Sequence, residues 1–254
     1  YRGFRLFAEA ENVSALFDDD GYRNAGAGSL SNGVTGRPTI GDPELTALHQ
    51  VYRQHRRGAL TSTLGRQEIN LGDQRFVGAV GWRQHHQSFD ALRLVAEASP
   101  RITVDYAYLD RVHRIFGNSL GMSSHLVTVP VELAEGHALT AYGYLLDYDD
   151  LELARLSTAT FGAEYKGGRE IADGWKLTWE AELAEQRDAG DNPLSIDTSY
   201  RNAALGVARG GLWARLTWEV LEGGGGGAFV TPLATLHKWN GWADRFLATP
   251  PDGL

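Results

Sequence analysis

The sequence predicts an all-β fold, namely a transmembrane antiparallel up-and-down β-barrel. Three observations lead to this prediction. Segments of about ten residues alternate apolar and polar side chains, their connections are long and short by turns, and the alternation continues along almost the whole chain. A tilted strand of about ten residues is long enough to cross a bilayer.

Composition supports a folded protein that is rich in strands and turns. Of the 254 residues, 43% are hydrophobic and 22% are charged, and there are 31 glycines. The net charge of −8 argues against a nucleic-acid binder, whose phosphate contacts need a basic surface. Because the chain has no Cys, disulfides, zinc–thiolate sites and thiol nucleophiles are excluded. No run of residues is apolar for the roughly 18 positions that a membrane-spanning helix needs.

Eleven segments show the period of two that is typical of a strand. In chain order they are 4–13, 45–55, 59–69, 88–98, 102–111, 125–133, 138–147, 157–166, 175–186, 200–208 and 212–221. The long connections are expected at 18–43, 70–87, 113–123, 148–156 and 187–198 and after Glu222. Short turns are expected at 56–58, 99–101, 134–136 and 209–211, and a glycine-rich connection at 167–174.

The N-terminal strands follow from apolar side chains that recur at every second position. These side chains are Phe4, Leu6, Ala8 and Ala10 in the first strand, Leu60 and Leu64 in the third, Leu92, Leu94, Ala96 and Ala98 in the fourth, and Ile102, Val104, Tyr106 and Tyr108 in the fifth. The second strand carries many polar residues, and its register stays open. Arg66 falls in the apolar phase of its strand, so we expect it near the strand end or beyond a bulge.

The C-terminal strands are predicted in the same way. Their apolar phases are Val127, Val129, Val131 and Leu133; Tyr142, Tyr144 and Leu146; Ala159, Phe161, Ala163 and Tyr165; Trp175, Leu177, Trp179, Ala181 and Leu183; Ala203, Leu205 and Val207; and Leu212, Ala214, Leu216, Trp218 and Val220. Pro130 cannot donate a hydrogen bond to a neighbouring strand, so we expect a bulge or a weak edge there.

The polar phase of the strands favours a membrane barrel over a soluble one. It carries charges of both signs in mid-strand, and a wet lumen tolerates such charges, whereas a dry core would have to pair each of them. They are Arg5, Glu9, Arg93, Glu97, Asp105, Lys166, Lys176, Glu180, Arg215 and Glu219. The alternative is a soluble barrel or sandwich with a solvated charged face, such as a soluble carbohydrate-binding β-protein.

Residues 1–254 are interpreted as a single barrel domain. Single-chain bacterial barrels have an even number of strands, so eleven strands cannot close one. We therefore expect further strands before Tyr1 and after Leu254, in a larger even-stranded barrel.

Two groups of residues invite a catalytic interpretation, and neither supports one. His85 and His86 lie near Asp90, but adjacent histidines on a strand point to opposite faces, which is poor geometry for chelation. We interpret them as solvated loop histidines. Glu180 and Glu182 share a face like paired catalytic carboxylates, yet lining of a lumen is the preferred interpretation. We expect no catalytic residue, no metal site, no cofactor and no enzyme activity.

Three segments of the sequence resemble the alginate-export-like outer-membrane porins. They are GRQEINLGDQRFVGAVGWRQHHQSFD (Gly65–Asp90), DYAYLDRVHRIFG (Asp105–Gly117) and VLEGGGGGAFVTPLATLHKWNGWADRFLATPPDGL (Val220–Leu254), and they occur in the order found in that family. The resemblance implies a β-barrel channel in the bacterial outer membrane. It also implies strands upstream and downstream of this chain.

The functional hypothesis is a porin-like channel for passive diffusion or export of small hydrophilic or anionic solutes, with oligo- or polysaccharides such as alginate among the candidates. Acidic residues of the polar phase are no fewer than basic ones, which leaves the solute open. The residues expected to line or constrict the pore are Arg66, Gln67, Arg75, Arg83, Arg93, Asp105, Arg111, Lys176, Glu180 and Arg215. The basic loop from Arg75 to Gln87 is expected to fold into the pore or to cap it.

The alternative hypothesis is an outer-membrane barrel that is plugged by its loops and that serves structure or ligand binding without transport. Loops 18–43, 70–87 and 222–254 would close such a barrel. The expected partners are outer-membrane lipid and a small hydrophilic or anionic solute, and no nucleic acid. A homo-oligomer or an envelope complex is left open.

Overall fold

A computed structural model describes residues 3–17, 21–224, 226–239 and 246–254. The parts of the predicted loops at 18–20, 225 and 240–245 lie outside the described residues. Within the described residues, eleven strands form one sheet, and helix is limited to single 3-10 turns at Gly28–Leu30, Ala154–Leu156, Ala172–Gly174 and Leu236–Lys238. No helix in this part of the chain is long and apolar enough to span a membrane.

The sheet is a meander in which each strand is hydrogen-bonded to the next one along the chain. Its strands are β1 Phe4–Val13, β2 Leu45–Arg57, β3 Leu60–Gln67, β4 Ser88–Ser99, β5 Ile102–His113, β6 Ser119–Ala134, β7 His137–Leu146, β8 Thr158–Glu170, β9 Lys176–Asp188, β10 Asp197–Arg209 and β11 Leu212–Leu221. The defined registers are antiparallel, as in β2–β3, β8–β9 and β10–β11. Each of the eleven predicted strands is present, so the predicted order is confirmed.

One face of the sheet exposes apolar side chains and the other buries polar ones, which is the opposite of what a water-soluble protein does. On one face, Leu183 and Leu216 are 65% and 77% exposed. On the other face, Glu180, Glu182 and Asn202 are all less than 9% exposed. Soluble proteins bury leucine and expose glutamate, whereas a transmembrane barrel turns apolar side chains to lipid and polar ones inward. We call these two faces the apolar face and the polar face.

Several strands extend beyond their predicted bounds, and two of them do so most clearly. Residues 119–123 were expected in a loop but begin β6, and residues 167–170 were expected in a connection but end β8. In β6, Met122 and Leu126 are buried in the same phase as Ser124, so hydrophobicity does not alternate there although the strand continues. In β8, Gly167 remains paired because the absence of a side chain leaves room for the ring of Trp179.

The prediction that Tyr142, Tyr144 and Leu146 belong to the apolar phase is wrong. All three are buried, and the hydroxyl of Tyr142 donates a hydrogen bond of 2.8 Å to Glu182 on the polar face. The apolar face of β7 is instead formed by residues such as Leu145, which is 40% exposed. The tyrosines misled the prediction because an aromatic ring counts as apolar, while its hydroxyl needs a polar partner when buried.

The bulge expected at Pro130 lies elsewhere. Pro130 pairs with Thr140 within the regular register of β6 and β7, and the irregularity falls between Glu132 and Ala134. The bulge therefore lies just before the short turn that joins β6 to β7. Pro130 is accommodated inside the strand.

The chain divides into two compact units. The first comprises residues 1–93, 108–123 and 231–245, and the second comprises 94–107, 124–230 and 246–254. Buried apolar side chains of the first unit include Ile69 and Val77 of the loop between β3 and β4. Those of the second include Tyr200 on β10 and Phe229 in the segment after β11. Each unit thus has a core that contains loop residues as well as strand residues.

Candidate functional site

The polar face of the second unit carries a concavity of about 440 Å³. Strands β8, β9 and β11 contribute Lys166, Lys176, Glu180 and Arg215 to its lining, and the turn after β6 contributes Gly136. Alternation along each strand places these charged side chains on one face. We call the concavity, together with these lining side chains, the basic concavity.

Apart from Glu132 at the edge, the accessible charges of the basic concavity are cations. The Arg215 Nη2 atom lies 3.1 Å from a carboxylate oxygen of Glu180, whose side chain is 6% exposed. Lys166 contacts Glu164 at 2.5 Å and Glu180 at 4.0 Å. The side chains of Lys166 and Arg215 are 42% and 44% exposed. The carboxylates therefore lie beneath the cations and leave the cationic ends towards solvent.

Lys176 completes the group as its least constrained cation. It is exposed at the start of β9 and lines the concavity. Within the described residues, its amino group has no ion-pair or hydrogen-bond partner. Glu132 is an exposed carboxylate at the edge of the concavity. An anion that enters the concavity would thus meet a free lysine beside two partly neutralised cations.

A row of hydrogen bonds crosses the strands above the basic concavity. Asn202 on β10 donates to Glu180 at 2.7 Å, and Tyr200 on β10 donates to Glu219 on β11 at 2.8 Å. Tyr142 donates to Glu182 across the intervening strand β8 at 2.8 Å. Such bonds hold buried carboxylates that would be costly to leave without donors.

The segment after β11 packs on the polar face of the second unit. The side-chain amide of Gln186 donates to the carbonyl of Val230 at 2.9 Å and accepts from its backbone N–H at 2.8 Å. The rings of Tyr200 and Phe229 lie 5.7 Å apart, and Phe229 is fully buried. Gln186 thus pairs with this segment as a neighbouring strand would.

The loop between β3 and β4 is tied to residues 231–239 within the first unit. Gln87 donates to the carbonyls of Gly78 and Leu233 at 2.8 and 3.1 Å. The hydroxyl of Thr235 donates to Gln74 at 2.7 Å. The bonds from Gln87 to Leu233 and from Thr235 to Gln74 join segments that are about 150 residues apart in sequence and that share no recognisable motif.

The predicted pore residues lie in several different environments. It brings Lys176, Glu180 and Arg215 together, as described above. Of the loop arginines, Arg75 is 1% exposed and lies 5.9 Å from the ring of Trp239. Arg83 lies 3.5 Å from Asp42. Arg93, Asp105 and Arg111 are partly buried on β4 and β5.

Arg66 and Gln67 join neighbouring strands to one another. Arg66 is the second-last residue of β3, which confirms the expectation that it lies near the strand end. Its guanidinium group donates to both carboxylate oxygens of Asp90 at 2.9 and 3.3 Å, and His113 lies 2.9 Å from the same carboxylate. Gln67 is buried and donates to the backbone carbonyl of Ala91 at 3.2 Å.

A cluster of histidines and glutamates in the first unit was not predicted. Glu68 Oε1 lies 2.8 Å from His49 Nε2 and 2.7 Å from His86 Nδ1. Glu11 Oε2 lies 3.4 Å from His85 Nδ1. We call Glu11, His49, Glu68, His85 and His86 the histidine cluster. The hydrogen bond from His49, together with that from His86, holds the pKa of Glu68 below its usual value.

The interpretation of His85 and His86 as solvated loop histidines is wrong. The side chain of His85 is only 3% exposed, and that of His86 is 31% exposed. They lie in a folded loop rather than on a strand, so both rings approach Glu11. Asp90, which the sequence suggested as their neighbour, bonds to Arg66 and His113 instead. Only the paired histidines hinted at this cluster, because Glu68, the nearest of its other members, lies 18 residues before His86.

Comparison with known proteins identifies the fold. A search of curated proteins by sequence gave no match. OpdL of Pseudomonas aeruginosa superposes with a TM-score of 0.63 at 12% identity, over 79% of this chain and 55% of that chain. OccD3 (OpdP) of Pseudomonas aeruginosa gives 0.62 at 13% identity, over 77% and 49%. OpdK of Pseudomonas aeruginosa, an outer membrane protein solved with vanillate, gives 0.58 at 15% identity, over 70% and 48%.

The chain spans about half the length of these structural neighbours. Their likeness confirms the predicted fold class, an antiparallel up-and-down transmembrane β-barrel. The sequence model of the alginate export family matches residues 28–219. The family and the neighbours together locate the chain in the bacterial outer membrane, and they confirm the resemblance that the sequence suggested. Because the match covers most of its residues, the chain belongs to the alginate export family.

Proposed function

We propose that this chain forms part of an outer-membrane channel that passes small anionic solutes, and that it is not an enzyme. The observation that carries the proposal is the basic concavity, in which the ends of Lys166, Lys176 and Arg215 reach solvent, while Glu164 and Glu180, which pair with Lys166 and Arg215, are buried. Rings and clusters of cationic side chains favour anions in pores, because they lower the electrostatic cost of an anion in a narrow passage.

Two comparisons support solutes that bear a carboxylate. The family is described by alginate export, and alginate is a polymer of sugar acids. The structural neighbour OpdK was solved with vanillate, an aromatic carboxylate. Each cation except Lys176 is partly neutralised by a carboxylate, so the concavity should attract an anion only weakly. Weak attraction suits the passive diffusion of a small carboxylate, which must leave the site again. In export of an alginate chain, the same cations would contact the carboxylates of successive sugar units as the polymer passes.

Among the residues predicted to line the pore, Lys176, Glu180 and Arg215 receive the main role in this proposal. Lys176 supplies the free charge, and Glu180 positions Arg215 through their contact of 3.1 Å. The loop arginines Arg75 and Arg83 receive a role in holding the loop, since each lies against an aromatic ring. Residues 1–254 remain, in this proposal, one barrel domain of a larger even-stranded barrel.

A second candidate function is a barrel plugged by its own loops. The pairing of Gln186 with Val230, and the burial of Phe229 beside Tyr200, favour it because they hold a loop segment on the polar face. The same contacts serve a channel if the segment narrows the pore without sealing it.

Planar bilayer recordings distinguish the two functions. We expect the purified protein to give stepwise conductance that vanillate and short alginate oligomers reduce from one side, because both carry carboxylates to the basic concavity. Glucose is the matched neutral solute and should cause little block at the same concentration. A protein that inserts, as shown by protease protection in vesicles, but never conducts would favour the plugged barrel and refute the channel.

A further inference from the structure

The histidine cluster brings metal-binding side chains together from four separate segments of the first unit. Glu11 lies on β1, His49 on β2, Glu68 just after β3, and His85 and His86 in the loop before β4. The ligand atoms of Glu11, His49 and His86 lie within 4.8 Å of one another. Glu68 Oε1 lies within 2.8 Å of both His49 and His86. Three donor groups therefore converge, and Glu68 lies beside two of them, outside the set whose ligand atoms are all mutually within that distance.

His85 supplies an independent observation that a ligand belongs here. Its side chain is 3% exposed, and neither ring nitrogen makes a hydrogen bond to any described residue. A buried polar group without a partner is destabilising, so folded proteins normally supply one. His85, His86, His49 and Glu11 all line a cavity of about 70 Å³, which is room for an ion with one or two waters at roughly 30 Å³ each.

The donors select a class of ion. Two imidazole nitrogens with carboxylates suit zinc and neighbouring transition metals, whereas calcium and magnesium prefer oxygen ligands alone. Zinc–ligand bonds of about 2.0–2.1 Å place tetrahedral ligand atoms roughly 3.3 Å apart. The present contacts range from 2.7 Å, for His86 to Glu68, to 4.0 Å, for His86 to Glu11. To form the tetrahedron, Glu11, His49 and His86 must draw closer together, and Glu68 must move towards Glu11 as the fourth ligand.

We propose that the histidine cluster binds one divalent transition-metal ion of the zinc class, with His49, His86, Glu11 and Glu68 as ligands. The ion clamps the loop between β3 and β4 to strands β1 and β2. When Glu11 moves onto the ion, His85 forms with it the hydrogen bond that the present contact of 3.4 Å between Nδ1 and Oε2 lacks, as outer carboxylate–histidine pairs do in other metal sites. To bind the ion, the ring nitrogens of His49 and His86 that now face Glu68 must offer a free lone pair.

Cobalt binding in detergent tests the site directly. The purified protein is stripped with a chelator and titrated with Co²⁺, whose visible absorption reports tetrahedral coordination, and Zn²⁺ is then added as competitor. We expect one equivalent of Co²⁺, displaced by one equivalent of Zn²⁺. His49→Gln and His86→Gln should each weaken binding by at least about tenfold.

The control is His55→Gln, which removes a histidine at the opposite end of β2 and should bind like the wild type. Glu68→Gln is the mildest ligand change, so it tests the site if a histidine variant does not fold. Absence of a tetrahedral spectrum, or a spectrum and affinity unchanged in His49→Gln, His86→Gln and Glu68→Gln, would overturn the proposal.

Limited proteolysis tests the clamp separately. Zn²⁺ should slow cleavage within residues 68–87 at least severalfold in the wild type and in His55→Gln, because a bound ion stabilises the state that binds it. It should have little effect in His86→Gln. Stoichiometric binding without protection of the loop would contradict the clamping role, and cleavage that responds equally in all variants would contradict the site.

Discussion

Tyr142 on β7 reaches across β8 and donates a hydrogen bond of 2.8 Å to the carboxylate of Glu182 on β9. The bond passes over Gly162, which pairs directly with Tyr142. A Cβ atom at Gly162 would collide with the Tyr142 hydroxyl and with the backbone carbonyl of Leu183. The glycine is therefore what allows the ring to lie flat against the polar face and supply a donor to a buried carboxylate.

Replacement of this glycine tests the arrangement. Gly162→Ala should lower the free energy of unfolding by about 1–3 kcal/mol, because the added methyl group overpacks the site and displaces Tyr142. Urea unfolding in detergent, followed by tryptophan fluorescence, measures the loss. Gly211→Ala is the control, since a Cβ there meets no atom within 4 Å. Equal stability of the two variants would contradict this role of Gly162.

The contact of Arg66 and His113 with Asp90 should stabilise the sheet more than a surface ion pair does. Asp90→Asn weakens the bidentate bond to Arg66 and the contact with His113. The three side chains are only 21–30% exposed, so solvent screens these contacts less than it screens a surface ion pair. We expect a loss of about 1–3 kcal/mol in the free energy of unfolding. Asp197→Asn is the matched control, because Asp197 and Arg187 are highly exposed and 3.9 Å apart. It should cost about 0–0.5 kcal/mol, and a loss as large as that of Asp90→Asn would disprove the distinction.

Gln186 should hold the segment after β11 on the polar face. Gln186→Met keeps the length of the side chain but removes both hydrogen bonds to Val230. At about 1 kcal/mol for each bond, we expect the segment to be cleaved by protease roughly ten times faster or more. Gln84→Met, in an exposed loop, is the control. An unchanged rate in Gln186→Met would mean that other contacts anchor the segment.

Glu222 should make stability depend on pH. The hydroxyl of Ser199 donates to Glu222 at 2.6 Å and its backbone N–H at 2.9 Å, and these bonds lower the pKa of Glu222 below its usual value. A carboxyl with a depressed pKa stabilises the folded state above its unfolded pKa, and the effect is lost as pH falls through the folded pKa. Wild type should thus be more stable than Glu222→Gln at pH 7, and the gap should close in acid.

Unfolding of the two proteins across this pH range measures the gap, with Glu152→Gln in an exposed loop as control. A gap that stays constant down to pH 2 would show that Glu222 does not contribute through its charge.

Most of the sheet was predictable because its causes are local. Strand β9, for example, is predicted by the alternation of Leu177, Trp179 and Leu183 with Lys176 and Glu180 alone. The short turns then predict which strands lie beside one another. The errors also have local causes. Tyrosine can lie on either face, because its ring is apolar and its hydroxyl is polar, as Tyr142 shows. The paired glycines near the end of β8 suit a strand as well as a turn, since the ring of Trp179 lies over Gly167.

The sites were only partly predictable, because they depend on segments that meet in space. Lys176, Glu180 and Arg215 were expected on one face, and regular register brings them together. The histidine cluster joins Glu11 and His49 to a loop that begins after Gln67. The position of that loop is set by side-chain bonds to backbone carbonyls, such as those of Gln87, which leave no pattern in the sequence.

The ion selectivity of single channels tests the central claim that the basic concavity favours anions. In a salt gradient across a planar bilayer, the reversal potential of the wild type should indicate anion preference. Lys176→Glu and Arg215→Glu should each shift it towards cations, while Arg209→Glu, at the nearby turn but on the apolar side, should shift it little. A reversal potential that is the same in wild type, Lys176→Glu and Arg215→Glu would contradict the account.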